Sequence, residues 1–257
     1  MNRELVFVTG ASSGIGRELA RCFAADDCAL VLSARRKAEL QALAGELRAT
    51  HGADVAVITA DLAAPGGVDE LLAALRERAL VPDVLVNNAG FGARGSFAAM
   101  PAERVRGMLA VNVDAVTRLA HALLPAMRER RRGGVLNVAS TAAFQPGPHM
   151  AVYYATKAYV LSWSEALHEE CRGDGVHVSA LCPGATFTGF AAEADMTDSR
   201  LFRLGAMDAA TVARAGHAGF RRNAAVVVPG LRNRLGAASV RFTPRGLVRR
   251  LVASLQR

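Results

Sequence analysis

A tyrosine and a lysine four residues apart are the side chains best placed for proton chemistry. The chain has only three tyrosines and two lysines, so the spacing of Tyr153 and Lys157 is informative. On a helix, residues i and i+4 share one face, which would set the ammonium beside the phenol. A free tyrosine has a pKa of about 10, and lowering it to near 7 requires about 4 kcal/mol. One positive charge at about 4 Å supplies about that much in an effective dielectric of 20. We therefore expect Tyr153 to be a general acid and base whose pKa is lowered by Lys157.

Two polar residues outside this pair have positions suited to catalysis. Ser140 follows the strand predicted at Gly134–Val138, where its hydroxyl could donate to a substrate oxygen. Asn112 lies in the middle of a helix predicted near 101–130, although asparagine is a poor interior helix residue. A side chain that disturbs the helix there can hold a water molecule. Tyr154 competes for the acid role, but it has no lysine four residues further on. The predicted catalytic residues are Asn112, Ser140, Tyr153 and Lys157.

The phosphate end of the predicted site is a glycine-rich turn between the first strand and the first helix. The segment Thr9–Gly16 reads Thr-Gly-Ala-Ser-Ser-Gly-Ile-Gly, a different spacing from the common Gly-x-Gly-x-x-Gly fingerprint. Glycines allow a tight turn that brings backbone N–H groups against a pyrophosphate, and the helix N-terminus adds partial positive charge. The cofactor contacts expected here are Gly10, Ser12, Ser13, Gly14, Ile15 and Gly16.

The end of the second predicted strand indicates which dinucleotide is bound. Arg35 and Arg36 stand where a carboxylate would accept a hydrogen bond from the ribose 2′-OH. Two guanidinium groups can hold a 2′-phosphate, which favours NADP over NAD, although a solvated pair opening a helix is the alternative. Asp61 and Leu62 follow the third strand. Asp61 could bond the adenine edge or cap the next turn.

Together these residues form a pattern that resembles the short-chain dehydrogenase/reductase family over about residues 4–190, with a looser fit beyond. Their order and spacing all fit, including the 13 positions between Ser140 and Tyr153. The matching elements are Thr9–Gly16, Asp61, Asn87-Asn88-Ala89-Gly90, Asn112, Ser140, Tyr153 with Lys157, and Pro183-Gly184 followed by Thr188.

The resemblance implies a hydride transfer between nicotinamide and a carbonyl or alcohol. Tyr153 would transfer the proton, Ser140 would orient the carbonyl, Lys157 would hold the nicotinamide ribose, and Asn112 would anchor a proton-relay water. Family members with arginine at the position of Arg35 usually prefer NADP. Many members are dimers or tetramers joined through the helices near 101–130 and 151–172. The further cofactor contacts it implies are Asn88, Ala89, Gly90, Tyr153, Lys157, Pro183, Gly184, Thr186 and Thr188.

Strands and helices alternate along the chain, which predicts an α/β fold with a doubly wound parallel sheet, Rossmann-like, and helices on both faces. The strands are continuous apolar runs, as burial on both faces requires. No repeat or linker divides the chain, so we expect one domain over residues 1–257. The expected strands are Leu5–Val8, Ala29–Ser33, Val55–Thr59, Val84–Val86, Gly134–Val138, His177–Cys182 and Ala225–Pro229, and the helices lie near 14–25, 37–50, 67–78, 101–130, 151–172 and 208–222.

Two segments near the C-terminus bear on the substrate. The stretch at about 187–206 is expected to cover it, and Phe187, Phe190, Met196 and Phe202 suggest an apolar lid and a hydrophobic carbonyl. The tail at about 244–257 predicts a basic amphipathic helix with Leu247, Val248, Leu251, Val252 and Leu255 on one face. Such a helix could contact an anionic membrane, but packing on the core or on a neighbouring subunit is the favoured alternative.

Composition and charge bear on whether the protein binds nucleic acid, spans a membrane, is secreted or holds a metal. The net charge is +8, and ten arginines but no acidic residue follow Asp208. No nucleic-acid-binding motif accompanies this basic segment, so we expect no nucleic-acid partner. No apolar run reaches the roughly 18 residues of a membrane span, and the N-terminus reads as a strand and not as a secretory signal. Four cysteines without a Cys-x-x-Cys pair, and histidines without ligand spacing, favour a soluble cytoplasmic protein with no metal.

The leading hypothesis is therefore an NADP-dependent reductase or dehydrogenase of a hydrophobic carbonyl or alcohol. One alternative is a reductase of a lipid-like ketone or β-ketoacyl substrate that associates with a membrane surface. A non-catalytic NADP-sensing scaffold is a further alternative, which the presence of both Tyr153 and Lys157 disfavours.

Overall fold

A seven-stranded parallel sheet forms the centre of the protein. The structure is a computed structural model and describes residues 3–189 and 205–256. The order of strands in the sheet is β3-β2-β1-β4-β5-β6-β9, and β7 and β8 form a separate parallel pair. The strands are β1 Leu5–Thr9, β2 Ala29–Ala34, β3 Val55–Thr59, β4 Val84–Asn87, β5 Gly134–Val138, β6 His177–Leu181, β7 Thr186–Phe187, β8 Met207–Asp208 and β9 Val226–Val227.

Helices cover both faces of this sheet, which confirms the predicted doubly wound fold. The described α-helices are α1 Gly14–Ala25, α2 Lys37–His51, α3 Gly67–Glu77, α4 Ala102–Leu109, α5 Val116–Arg130, α6 Ala151–Glu170, α7 Ala209–Arg221, α8 Leu231–Ser239 and α9 Arg245–Gln256. The strand order reverses between β1 and β4, so a crevice opens at their carboxyl ends.

The central strands are apolar because each of their faces packs against a helical layer. In β1, Val6 and Val8 point into one core with α1, α2 and α7, whereas Phe7 points into the other core with α3 and α5. All three side chains are fully buried. Alternating side chains of a strand point to opposite faces, so an unbroken apolar run fills both cores.

The region predicted as one helix near 101–130 is helical throughout but is not a regular α-helix. A π-helical turn at Ala110–Ala115 separates α4 from α5, and Asn112 lies within it. Short π-helical turns inside α-helices are frequent at functional sites. Because the regular α-helix is interrupted at Asn112, the prediction that this residue disturbs the helix is confirmed.

The C-terminal segment contains one helix that the sequence pattern did not predict and one that it did. Helix α8 was not expected, whereas α9 coincides with the predicted amphipathic tail. Val248 and Val252 of α9 are buried in a cluster with Met150 and Tyr154, so this face packs on the core. No described helix has both the length and the apolar character needed to cross a membrane.

Candidate active site

The crevice at the carboxyl ends of the strands is a cavity of about 520 Å³. Every predicted cofactor contact except Gly16 lines it, as do three of the four predicted catalytic residues. Asn112 does not line it. The predicted residues in the wall are Gly10, Ser12, Ser13, Gly14, Ile15, Arg35, Arg36, Asp61, Leu62, Asn88, Ala89, Gly90, Ser140, Tyr153, Lys157, Pro183, Gly184, Thr186 and Thr188.

The turn after β1 presents the N-terminus of α1 to this cavity. Gly10 and Gly14 have φ values of +64° and +56°, a region that favours glycine. Ser13 precedes the helix but does not cap it with its side chain. Amides in the first turn of a helix have no partner within the helix, so they suit a pyrophosphate group. The geometry of this turn therefore fits a dinucleotide.

Gly16 serves the packing of the turn and does not line the cavity, and its predicted role as a cofactor contact stays a prediction. A Cβ atom at this position would lie 2.2 Å from Asn88 Nδ2 and 2.5 Å from the carbonyl oxygen of Gly10. Only glycine allows α1 to approach the end of β4 this closely.

Hydrogen bonds of Asn88 and Thr9 connect the glycine-rich turn to the end of β4. Asn88 Nδ2 donates to the backbone oxygens of Thr9 at 2.9 Å and Gly10 at 3.1 Å. The Thr9 hydroxyl accepts from the backbone N–H groups of Asn88 and Ala89, each at 3.1 Å. The side chain of Asn88 thus positions the glycine-rich turn through the backbone.

Arg36 lies beside the glycine-rich turn. Its Nη2 atom donates to the hydroxyl oxygens of Ser12 at 3.0 Å and Ser13 at 2.8 Å. Glu39 lies near its Nη1 atom at 3.6 Å, and the guanidinium remains about half exposed. Two hydroxyl groups from the turn after β1 and a cation that follows β2 therefore meet here. Groups of this kind can bind a 2′-phosphate.

Asp61 adopts the turn-capping role that was one of its two predicted alternatives. Its Oδ1 atom accepts from the backbone N–H of Ala63 at 2.9 Å. Both Asp61 and Leu62 also line the cavity wall.

The side chains of Ser140 and Tyr153 both line the cavity, and Ser140 lies near enough to Tyr153 to lower its pKa. Ser140 caps a short 3-10 helix at Thr141–Phe144 and accepts from the N–H of Ala142 at 3.0 Å. Tyr153 stands on α6 and is only 8% exposed. Two hydroxyl groups in one cavity can bind one carbonyl oxygen between them.

The expected lowering of the Tyr153 pKa is wrong for this structure. Burial raises the pKa of Tyr153, and the hydrogen bond with Ser140 only partly opposes this effect. The Lys157 ammonium lies 5.9 Å from the centroid of the tyrosine ring and donates to the backbone oxygen of Val138 at 2.7 Å. The causes of the shift in the Tyr153 pKa are burial, Ser140 and Tyr154, and the charge of Lys157 is not one of them. Burial also lowers the pKa of Lys157 to about 8.

Asn112 acts on the cavity wall through the backbone of Phe91. Its Oδ1 atom accepts from the N–H of Phe91 at 3.1 Å, and its Nδ2 atom donates to the Phe91 oxygen at 2.9 Å. Nδ2 also donates to the Thr156 hydroxyl at 3.1 Å. Since Phe91 lines the cavity, Asn112 positions this wall, and its relay of protons through a water stays a prediction.

The sequence reasoning missed the contribution of α9 to the site. Val252 and Leu255 line the cavity, and Gln256 Nε2 donates to the Tyr154 hydroxyl at 2.7 Å. The apolar spacing of the tail did predict the helix. This spacing carried no information on where the helix packs, because Tyr154 lies about a hundred residues earlier in the chain.

The predicted substrate-covering loop lies mostly outside the described residues. Phe190, Met196 and Phe202 are among the residues not described. Phe187 is described and is 65% exposed. Among the described residues, no cluster of histidine, cysteine and acidic side chains could hold a metal ion.

Comparisons with known proteins identify the family. A profile of the short chain dehydrogenases matches residues 4–199. An uncharacterized oxidoreductase of Myxococcus xanthus is 37% identical over 184 residues, which cover 72% of each protein. The ketoacyl reductase HetN of Nostoc is 32% identical over 70% of this chain and 62% of its own length. The match spans only 32% of another relative, the probable oxidoreductase EphD of Mycobacterium tuberculosis. The chain belongs to the short-chain dehydrogenase/reductase family and is an oxidoreductase of that family.

Solved structures share the fold over nearly the whole chain. A short-chain dehydrogenase from Sphingobium yanoikuyae in complex with NADPH has a TM-score of 0.83 and 35% identity, over 95% of this chain and 94% of its own. A bulky-bulky ketone specific alcohol dehydrogenase from Comamonas testosteroni has a TM-score of 0.79 and 32% identity, over 94% of both chains. A family member from Burkholderia phymatum in complex with NAD has a TM-score of 0.81 and 26% identity, over 93% of this chain and 92% of its own. The first and the third of these relatives are thus solved with nicotinamide dinucleotides.

Proposed function

We propose that the protein is an NADP-dependent oxidoreductase that reduces a hydrophobic ketone or oxidises the corresponding alcohol, with Tyr153 as the general acid and base. The observation that carries this proposal is that Tyr153 and Ser140 line the same cavity as the glycine-rich turn. When bound, the nicotinamide supplies or accepts the hydride.

The protonation of the site suits the reduction of a carbonyl. Because burial raises the pKa of Tyr153, its phenol is neutral at pH 7 and can donate a proton to the oxygen of the substrate. Ser140 holds the same oxygen and orients it. In the oxidation direction, Tyr153 would have to lose its proton, and a cationic neighbour such as Lys157 favours that state.

The assignment of NADP depends on the end of β2. Arg36 bridges the hydroxyls of Ser12 and Ser13, and Arg35 also lines the cavity. The structural relative from Sphingobium yanoikuyae is solved with NADPH. A 2′-phosphate would gain charge-assisted hydrogen bonds from this cluster that an NAD ribose cannot make.

The walls of the substrate region favour an apolar substrate. Phe91, Met150, Tyr154, Val252 and Leu255 all line the cavity. Relatives named for bulky ketones and for ketoacyl groups are consistent with such a lining. Small, highly polar carbonyl compounds would leave these side chains without complementary contacts.

The assembly and location expected from the sequence remain part of this proposal. Leu109 and Tyr159 are 47% and 38% exposed in the helical region through which family members are expected to associate, which supports a dimer or tetramer. All four cysteines are free thiols, which fits the reducing cytoplasm.

A panel of ketones, aldehydes and β-ketoacyl thioesters, each assayed with NADPH and with NADH, tests the proposal. We expect faster oxidation of NADPH with the larger apolar ketones. Tyr153→Phe should lower the rate by about 10²–10⁴ because proton transfer is lost. Tyr159→Phe is the matched control, since Tyr159 lies on the same helix and bonds Thr117 outside the cavity. An unaffected Tyr153→Phe enzyme would refute the mechanism.

A further inference from the structure

The protein displays an unusual set of exposed apolar side chains close to its C-terminus. We refer to residues 231–251, from the start of α8 into α9, as the C-terminal surface. Half of the ten large hydrophobic residues that are exposed in the described structure lie in this segment, with exposed fractions of 58% to 87%. They are Leu231, Leu235, Phe242, Leu247 and Leu251.

The segment that forms this surface is rich in arginine and contains no acidic residue. All 23 acidic residues of the chain occur at or before Asp208, whereas ten of its 31 basic residues follow that position. The segment itself contains six arginines: Arg232, Arg234, Arg241, Arg245, Arg249 and Arg250. A partner for this surface therefore has to be anionic and able to receive apolar side chains.

The two helices present their leucines in pairs spaced by four residues, which places each pair on one helix face. No described residue of α8 is buried, so Leu231 and Leu235 contribute nothing to the core. In α9 the packing face is formed by Val248 and Val252, and Leu247 and Leu251 lie beside it. This second pair continues by four residues to Leu255, which lines the catalytic cavity.

We propose that the C-terminal surface docks on the headgroup region of an anionic lipid bilayer. Helices with arginine on the polar side and leucine or phenylalanine on the other bind such interfaces. A two-fold contact with a second copy would bring arginine-rich faces together, and the like charges would oppose it. A nucleic acid would satisfy the arginines but would leave the five apolar side chains without partners. Such docking goes beyond the proposed catalysis. Its test measures binding to vesicles and does not depend on turnover.

Flotation of the purified protein with lipid vesicles tests this docking. We expect recovery with phosphatidylcholine vesicles containing phosphatidylglycerol, at least roughly tenfold weaker binding to phosphatidylcholine alone, and a loss of binding at high salt. Equal recovery with both kinds of vesicle, or no recovery with either, would overturn the proposal.

Substitution of the exposed leucines tests the apolar contribution. Leu247→Gln combined with Leu251→Gln should reduce vesicle binding by roughly tenfold or more while circular dichroism stays unchanged, because both side chains are already exposed. Val81→Gln is the matched control, since Val81 is 57% exposed outside this surface. Should the leucine variant dissociate an oligomer in sedimentation without changing vesicle recovery, the surface would be a contact between copies and the proposal would fail.

Substitution of arginines tests the charge contribution. A basic residue near an anionic membrane changes binding roughly fivefold, so Arg249→Gln combined with Arg250→Gln should weaken it roughly twentyfold. Arg76→Gln combined with Arg106→Gln removes the same charge elsewhere and should change it much less. Equal effects of the two pairs would show that only net charge matters, and would overturn the assignment of this surface.

Discussion

Replacement of Lys157 by methionine should stabilise the protein at neutral pH, because the lysine is buried at a cost. Lys157 is 5% exposed, and burial lowers its pKa from 10.5 to about 8. The folded state therefore releases the proton of Lys157 more readily than the unfolded state does. The free energy of unfolding contributed by this group is highest above pH 10.5 and decreases as the pH falls toward 8.

The size of the effect follows from these two pKa values. The full difference corresponds to about 3 kcal/mol, of which about 2 kcal/mol develops between about pH 9.5 and about pH 7.5. Methionine has a similar length and no charge to desolvate. The variant loses the hydrogen bond to Val138, which shifts its stability at every pH and leaves the slope unaffected.

Urea unfolding followed by circular dichroism at a series of pH values measures this effect. The difference in free energy of unfolding between Lys157→Met and the parent protein should rise by about 2 kcal/mol from about pH 9.5 to about pH 7.5. Lys37→Met removes the only other lysine, which is exposed, and shows what loss of a positive charge does by itself. A difference that stays constant over this range for Lys157→Met would refute the reasoning.

Three other substitutions test the cofactor site, the substrate wall and the positioning of Phe91. Arg36→Leu should raise the KM for NADPH by roughly tenfold or more and leave that for NADH unchanged; equal effects on both in steady-state kinetics would contradict the NADP assignment. Val252→Ala combined with Leu255→Ala should shift kcat/KM roughly tenfold toward bulkier ketones, and an unchanged ratio between a large and a small ketone would exclude this wall. Asn112→Ala leaves the backbone N–H and oxygen of Phe91 without partners. It should lower the free energy of unfolding by roughly 2–4 kcal/mol in urea titrations, and a loss below about 1 kcal/mol would show that water replaces the amide.

Much of the fold and of the site could be predicted because the relevant signals are local. Each buried parallel strand is a continuous apolar run, and the carboxyl ends of such strands meet at one edge of the sheet. This rule brings Ser140 at the end of β5 to the same cavity as Gly14 after β1. The spacing of Tyr153 and Lys157 predicted in the same way that both side chains belong to one site, and both line this cavity.

The protonation of the site could not be predicted because it depends on packing between distant segments. The pKa of Tyr153 is raised by burial, and part of the neighbouring cluster comes from Val248 and Val252 of α9. Nothing in the sequence near Tyr153 reveals that α9 returns to this point. The position of the Lys157 ammonium likewise depends on the backbone oxygen of Val138, which no sequence pattern displays.

Departures from ordinary folding rules occur in two places, and they have different explanations. Around the cavity, Lys157 is buried against a backbone carbonyl and Asn112 occupies a π-helical turn, as expected where function opposes stability. The exposed leucines of α8 and α9 cannot be explained in this way, since Leu231, Leu235, Leu247 and Leu251 do not line the cavity. Their exposure costs solubility and contributes no catalytic contact. A second interaction surface accounts for them, and the absence of any acidic residue after Asp208 selects an anionic partner for that surface.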